Sequence, residues 1–432
     1  MTKKLDKNKA PLGSTLAAIG CALLQGLPNQ VQAGELEKWD VDAAVLVYSE
    51  SDSRVQAAEP AVSATRNFDS ETKLNIKLVL DTLTGASPNG ALPSDQPQTF
   101  TRPSGNGSYT TDAGEIPLDD TFRDTRVAAS ADWSAPVNRS WAYSVGGHFS
   151  SEHDYLSLGT NASLSRYLNQ KNTTLTLAGG LSLDTISPEG GLPVGLSPMA
   201  DKGAASFSSD FAASRSGSED DKQVTDLLLG VTQVINRRTL MQFNYSLNLA
   251  DGYLTDPYKL VSVLDQPGGT TQEYRYESRP DSRIKQALFG QVKYQLGSGD
   301  VADLSYRYQL DDWGLNSHTL EFKYRWDLGR HYLEPQVRWY TQSAVDFYQP
   351  YALESQVNAG LDEVTADYRL GDFDAWTLGI RYGYQVTEGQ EAYTRLSLYQ
   401  QTTGDFSSAT TPASGNDLPD TTAIMWILGY KF

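Results

Sequence analysis

The chain has 432 residues, with 53 acidic side chains against 35 Lys plus Arg and a formal net charge of −18. That balance repels a phosphate backbone, so nucleic acid is not an expected partner. A single cysteine leaves no disulfide framework and no Cys-x-x-Cys-His haem attachment, and no stretch reaches the roughly 18 uninterrupted apolar residues that a spanning helix needs.

Lys3, Lys4, Lys7 and Lys9 precede an apolar stretch from Leu12 to Leu27, and Val31-Gln32-Ala33 then offers the small side chains of a cleavage site. The pattern predicts a secretory signal peptide over 1–33, followed by a single domain over 34–432. Cys21 lacks a leucine three residues upstream, which argues against a lipidated N-terminus.

From residue 37 onward the period is two. In 317–328, Leu320, Phe322, Tyr324 and Trp326 share one face and Thr319, Glu321, Lys323 and Arg325 the other. Neither face suits a soluble core: buried unpaired charges cost several kcal/mol each, and an exposed aromatic row invites aggregation. The same division recurs in 239–250 and 70–85, where Met241, Phe243 and Tyr245 oppose Gln242 and Asn244, and Leu74, Ile76 and Leu78 oppose Lys73, Asn75 and Lys77. Such segments fit tilted transmembrane strands, which in lipid must close into a ring. The expected fold is therefore all-β, a transmembrane antiparallel β-barrel with short periplasmic turns and long extracellular loops.

Sixteen strands are expected, at 37–49, 54–67, 70–85, 121–134, 140–150, 155–168, 172–186 and 223–236, then 239–250, 283–297, 300–310, 317–328, 331–345, 374–386, 391–402 and 421–432. All long links, 86–120, 187–222, 251–282, 346–373 and 403–420, then fall on one side. The parity requires 366–370 to lie in a loop; if that segment spans, fourteen or eighteen strands result. On the last strand Trp426, Tyr430 and the terminal Phe432 share a face, which resembles the C-terminal signal read by barrel-insertion machinery.

Several stretches, LDTLTGASPNG over 80–90, YLTDPYK over 253–259, YESRPDSR over 276–283, DDWGLNSHT over 311–319 and FDAWTLG over 373–379, resemble a Gram-negative outer-membrane family, domain of unknown function 3570. The resemblance implies a barrel in the outer membrane and supplies no catalytic residues. It also implies, through neighbours such as a small lipoprotein and flavin-transferase or thioredoxin-like proteins, a role in envelope redox or transport.

On this register the inner wall presents Lys285, Lys293, Arg307, Lys323, Arg325, Arg338, Arg381 and Arg395 against acids such as Glu321 and Glu334. Such a lumen attracts anions, or pairs its charges across strands. The segments flanking one loop supply Tyr253, Asp256, Tyr258, Tyr276, Arg279, Asp281 and Arg283, a mix suited to a ligand or partner as well as to self-packing. Loop carboxylates such as Glu219, Asp220 and Asp221 could meet divalent ions or lipopolysaccharide, and the proline-rich 86–120 loop is either a constriction or mobile.

No enzyme is expected. Only His148, His153, His318 and His331 are available, and His148 lies two residues from Ser150 along a strand, poor geometry for a nucleophile and base. No cofactor or metal is required by these residues. The sequence points to a porin-like channel or transporter component for small polar solutes, anions among them. The alternative is a non-conducting scaffold that docks a lipoprotein or periplasmic partner within an envelope redox system.

Overall fold

Hydrocarbon on one side and water on the other explain the alternation, and the computed structural model resolves it into a wall one strand thick. It describes residues 39–51, 54–69, 71–403 and 420–432; the expected signal peptide lies outside them. The barrel strands are β1 (Trp39–Glu50), β2 (Val55–Asn67), β3 (Lys73–Pro88), β4 (Leu118–Asn138), β5 (Trp141–Ser151), β6 (Tyr155–Leu168), β7 (Thr173–Ile186) and β8 (Asp220–Asn236). They continue as β9 (Thr239–Gly252), β10 (Ser282–Gln295), β11 (Val301–Asp311), β12 (Asn316–Leu328), β13 (His331–Gln342), β14 (Phe373–Thr387), β15 (Gln390–Thr403) and β16 (Thr421–Lys431).

These sixteen pair antiparallel with their sequence neighbours, and β1 pairs with β16 from Asp42↔Lys431 to Glu50↔Ala423, closing the ring. Closure leaves no barrel strand with an unpaired edge, the condition lipid imposes. Among the described residues no helix is long and apolar enough to cross a membrane. The segment 366–370 lies in a loop, where Tyr368–Leu370 forms one 3₁₀ turn, so the parity of sixteen holds.

The outward row is predominantly apolar: Leu78 on β3, Leu183 on β7, Leu229 on β8, Leu288 on β10, Trp376 on β14 and Ile424 on β16 are all exposed. At the periplasmic end aromatic rings carry cations, as a residue does that must sit between acyl chains and headgroups. Arg66 lies over Trp39 and Phe68, Arg166 over Trp141, Lys171 over Tyr167 and Arg330 over Tyr384. Trp426 and Phe432 face the same apolar surroundings, and the Tyr430 ring packs edge-on to Phe432.

Inside, two glycines serve close approach. The Tyr332 ring lies flat over Gly383 and the Tyr393 ring over Gly429, where any Cβ would collide with the ring. Flattened tyrosines keep the lumen open and offer their faces to Arg325, 3.5 Å from the Tyr332 centroid, and Arg381, 4.2 Å from that of Tyr393.

A one-layer wall has no core of its own, and the deepest burial lies in the extracellular loops. Phe100, Val261, Leu264 and Val364 are fully buried there. Leu260–Leu264 pairs antiparallel with Thr271–Tyr276 and parallel with Tyr351–Leu353, making a three-stranded sheet from two different loops. The 86–120 loop folds into the same mass through the hairpin of Gln98–Thr101 with Ser108–Thr111, and Phe100 packs against Tyr109 and Tyr274. Backbone bonds from Leu260 to Asn89 (2.7 Å) and both ways between Ser278 and Val364 (3.0 and 2.9 Å) tie the loops together.

Candidate functional site

Alternation on β11 to β16 turns a row of polar side chains inward, and with β1 they enclose a chamber of about 730 Å3. Arg307, Glu321, Arg338 and Arg395 line it, joined from the loops by Arg369. The other expected lumen residues are engaged along the same face. Lys293 pairs with Asp303 at 3.4 Å, Lys323 with Glu321 at 2.8 Å, Arg381 with Glu391 at 3.3 Å and Arg395 with Glu334 at 3.4 Å. Lys285 stands opposite Asp311 in the ladder. Arg307 and Arg338 close no ion pair with a carboxylate among the described residues, although Arg338 stands opposite Glu321 in the ladder; their guanidinium groups lie over the rings of Phe289 and Tyr340, 5.8 and 5.9 Å from the centroids.

Above the chamber two loops meet through an ion network whose Glu277 and Asp367 are buried, whose Arg279 is largely buried and whose Arg369 is exposed. Arg279 Nε lies 2.7 Å from Glu277 Oε1 and its Nη2 donates to Asp367 Oδ2 at 2.9 Å. Arg369 Nη2 then reaches both Asp367 at 2.6 Å and Asp256 at 2.8 Å. Glu277 is fully buried and accepts from the Asp256 backbone N–H and the Thr365 hydroxyl. Burial pushes Glu277 up to about 7 against the pull of Arg279. Burial also disfavours an ionised Asp367, yet Arg369 and its neighbours hold that carboxyl well below the usual range. Lys259, pushed down by burial, donates to the Pro88 carbonyl.

The loop residues singled out from sequence are largely occupied within the chain. Tyr253 is half-buried with its hydroxyl enclosed, Tyr258 donates its hydroxyl to Asp154, and Tyr276 accepts from Arg215 at 2.9 Å. Arg283 opens β10, bound to Asp311 under the Trp313 ring, and Asp281 is exposed at the loop's end. Glu277, Asp367 and Arg369 were not singled out. Their signal was weak: a Glu next to Arg-Pro, and two charges inside a short segment that could pass for a strand.

Arg369 also lines a second cavity, of about 520 Å3, on the extracellular side, together with His153, Asp154, Tyr258 and Lys259. Arg369 thus stands between vestibule and chamber. Beside the vestibule, oxygens of Asp124, Glu152 and Asp154 lie within 4.8 Å of one another. Burial and a hydrogen bond with Asp124 raise Glu152 to about 7, while Arg126 Nε, 3.9 Å away, offsets part of the charge. Glu219 is exposed, and Asp220 and Asp221 begin β8, where Asp221 accepts from the Thr185 hydroxyl. His148 faces inward with Nε2 3.3 Å from Ser182 Oγ, whereas His318 and His331 bond Tyr306 and Tyr382.

A family model described as "Protein of unknown function (DUF3570)" matches residues 13–432. The chain belongs to this family. A closed strand barrel with an apolar exterior and an aromatic-cationic rim is the outer-membrane form, and the outer membrane of a Gram-negative bacterium is where this DUF3570 protein resides. No functionally curated protein matches the chain. Similar solved structures include a bacterial polysaccharide outer membrane secretin, with TM-score 0.43, 10% identity, and coverage of 91% of this chain and 98% of that one. Others are the outer membrane protein opdK from Pseudomonas aeruginosa (TM-score 0.38, 10% identity, 91% and 98% covered) and OccK11 (OpdR) from Pseudomonas aeruginosa (TM-score 0.38, 10% identity, 92% and 96% covered).

Proposed function

We propose that this DUF3570 protein is a porin-like channel or transporter component that passes small polar solutes, anions in preference to cations. The observation that carries this is the pair Arg307 and Arg338, two guanidinium groups that line a chamber inside a sixteen-strand ring and close no ion pair among the described residues. A ring of that size leaves room for water, and cations on a pore wall that close no ion pair raise local anion concentration. The folded loops narrow the outer entrance, with Arg369 at the junction of the two cavities.

The test is planar-bilayer current under a salt gradient. The native protein should give ohmic openings whose reversal potential marks anion preference, and the double substitution Arg307→Glu with Arg338→Glu should move that potential toward cations. A native barrel that stays silent in bilayers overturns the channel. Co-purification of such a silent protein with an envelope lipoprotein would support a docking scaffold instead, a reading favoured by the packing of four loops over the mouth, the 187–219 loop joining the other three where the Met199 N–H donates to the Tyr274 carbonyl at 2.8 Å.

A further inference from the structure

We propose that the chamber is a binding site for small carboxylates that carry an apolar or aromatic body. This rests on the lumen reading above and names its solute class. The wall of a water-filled barrel is ordinarily polar, yet here Leu46, Met425 and Ile427 turn inward and line the chamber. They lie in adjoining ladders: Leu46 stands opposite Ile427, and Tyr48 opposite Met425. Ile427 in turn stands opposite Arg395 and Met425 opposite Ser397. One row across three strands therefore reads Arg395, Ile427, Leu46, running from cation to hydrocarbon over about 10 Å at the usual interstrand spacing. Arg395 itself is paired with Glu334 at 3.4 Å, so among the described residues the chamber's barrel-wall cations without an ion pair are Arg307 and Arg338.

The polar half of the wall carries unused donors. Gln401 and Thr421, 6% and 4% exposed, both line the chamber, and among the described residues neither the Gln401 amide nitrogen nor the Thr421 hydroxyl has a hydrogen-bond partner. Tyr399 donates to the Gln401 amide oxygen at 2.8 Å, which leaves the enclosed nitrogen as the unpaired atom among the described residues. Buried donors without partners cost free energy until something accepts from them. With Arg307 and Arg338 closing no ion pair among the described residues, the site offers two guanidinium groups to an acceptor-only headgroup. Glu321 is already neutralised by Lys323 at 2.8 Å, and Glu50 is faced by Arg54 at 3.6 Å. A chamber of about 730 Å3 lies within the range of small-molecule sites. A carboxylate at the arginines and a ring against Ile427, Leu46 and Met425 would use both halves at once.

The experiment is isothermal titration of the intact barrel in detergent with benzoate, acetate and benzyl alcohol. Benzoate should bind at least about tenfold more tightly than acetate, which lacks the ring, and than benzyl alcohol, which lacks the charge. Arg307→Gln with Arg338→Gln should weaken benzoate by about tenfold or more without altering thermal stability. Ile427→Asn should erase the preference for benzoate over acetate while leaving acetate unchanged. Equal binding of benzoate and acetate, or benzoate binding indifferent to both substitutions, overturns the proposal. Because binding is read without current, a barrel that binds benzoate but passes no ions defeats only the channel. One that conducts without discriminating benzoate defeats only this inference.

Discussion

Replacing Arg279 by methionine is expected to destabilise the folded extracellular loops by about 3–5 kcal/mol, the usual consequence of deleting one partner of a buried ion pair. Methionine keeps much of the volume and none of the charge, so Glu277 would remain fully buried with only two neutral hydrogen-bond donors. Asp367 would lose one guanidinium but keep Arg369. The loops holding Glu277 and Asp367 are joined by the paired bonds of Ser278 with Val364, so this loss should free the mouth while the wall, held by its own ladders, stays intact. Trypsin should cut within 253–281 and 343–372 far faster than in the native protein, and bilayer current should rise. Adding Glu277→Gln to Arg279→Met should recover part of the protection, since it removes the stranded charge. If the double substitution is no better than the single one, the network acts by packing and not by charge.

Leu288→Arg should weaken folding into a bilayer by about 2–4 kcal/mol, the cost of an arginine on the lipid face near the midplane. Leu288 is 58% exposed near the middle of β10, opposite Tyr245 on β9 and Tyr308 on β11. A charge there meets hydrocarbon and can escape only by a long reach to the headgroups. Ser305→Arg, on the neighbouring strand but lining the chamber, meets water and stands opposite Glu321, so it should change stability by no more than about 0.5 kcal/mol. Guanidinium titration of refolding in phospholipid vesicles measures both. Similar losses at the two positions would mean that the faces have been assigned wrongly.

The wall was legible from sequence because lipid and water leave opposite marks on successive residues. The expected 317–328 is observed as Asn316–Leu328 and 239–250 as Thr239–Gly252, and all sixteen strands fall where the alternation placed them. Ends drift where the pairing continues: the strand expected at 121–134 runs Leu118–Asn138, because β4 pairs with β3 as far as Pro88↔Leu118 at one end and with β5 as far as Asn138↔Trp141 at the other. The loops left no such mark. Prolines in 86–120 allowed either a constriction or a mobile segment, and only the burial of Phe100 against Tyr274, 174 positions away, shows a folded loop. Glu277 and Asp367 meet Arg279 through pairing between distant segments, which neither periodicity nor spacing records. Arg307 and Arg338 were legible as inward cations; that Glu321, opposite Arg338 in the ladder, pairs with Lys323 instead is set by side-chain positions that alternation does not record.

The most direct measurement is a single-cysteine scan along β12, Asn316–Leu328, in a chain whose expected mature form has no cysteine of its own. Cysteines at 320, 322 and 326 should be protected from a charged, water-soluble maleimide in intact outer membranes and should carry nitroxide labels that sense lipid-dissolved oxygen. Those at 319, 321 and 323 should report an aqueous environment. Uniform labelling along the strand, or the aqueous pattern on the aromatic row, would contradict a sealed barrel with Leu320, Phe322 and Trp326 against hydrocarbon.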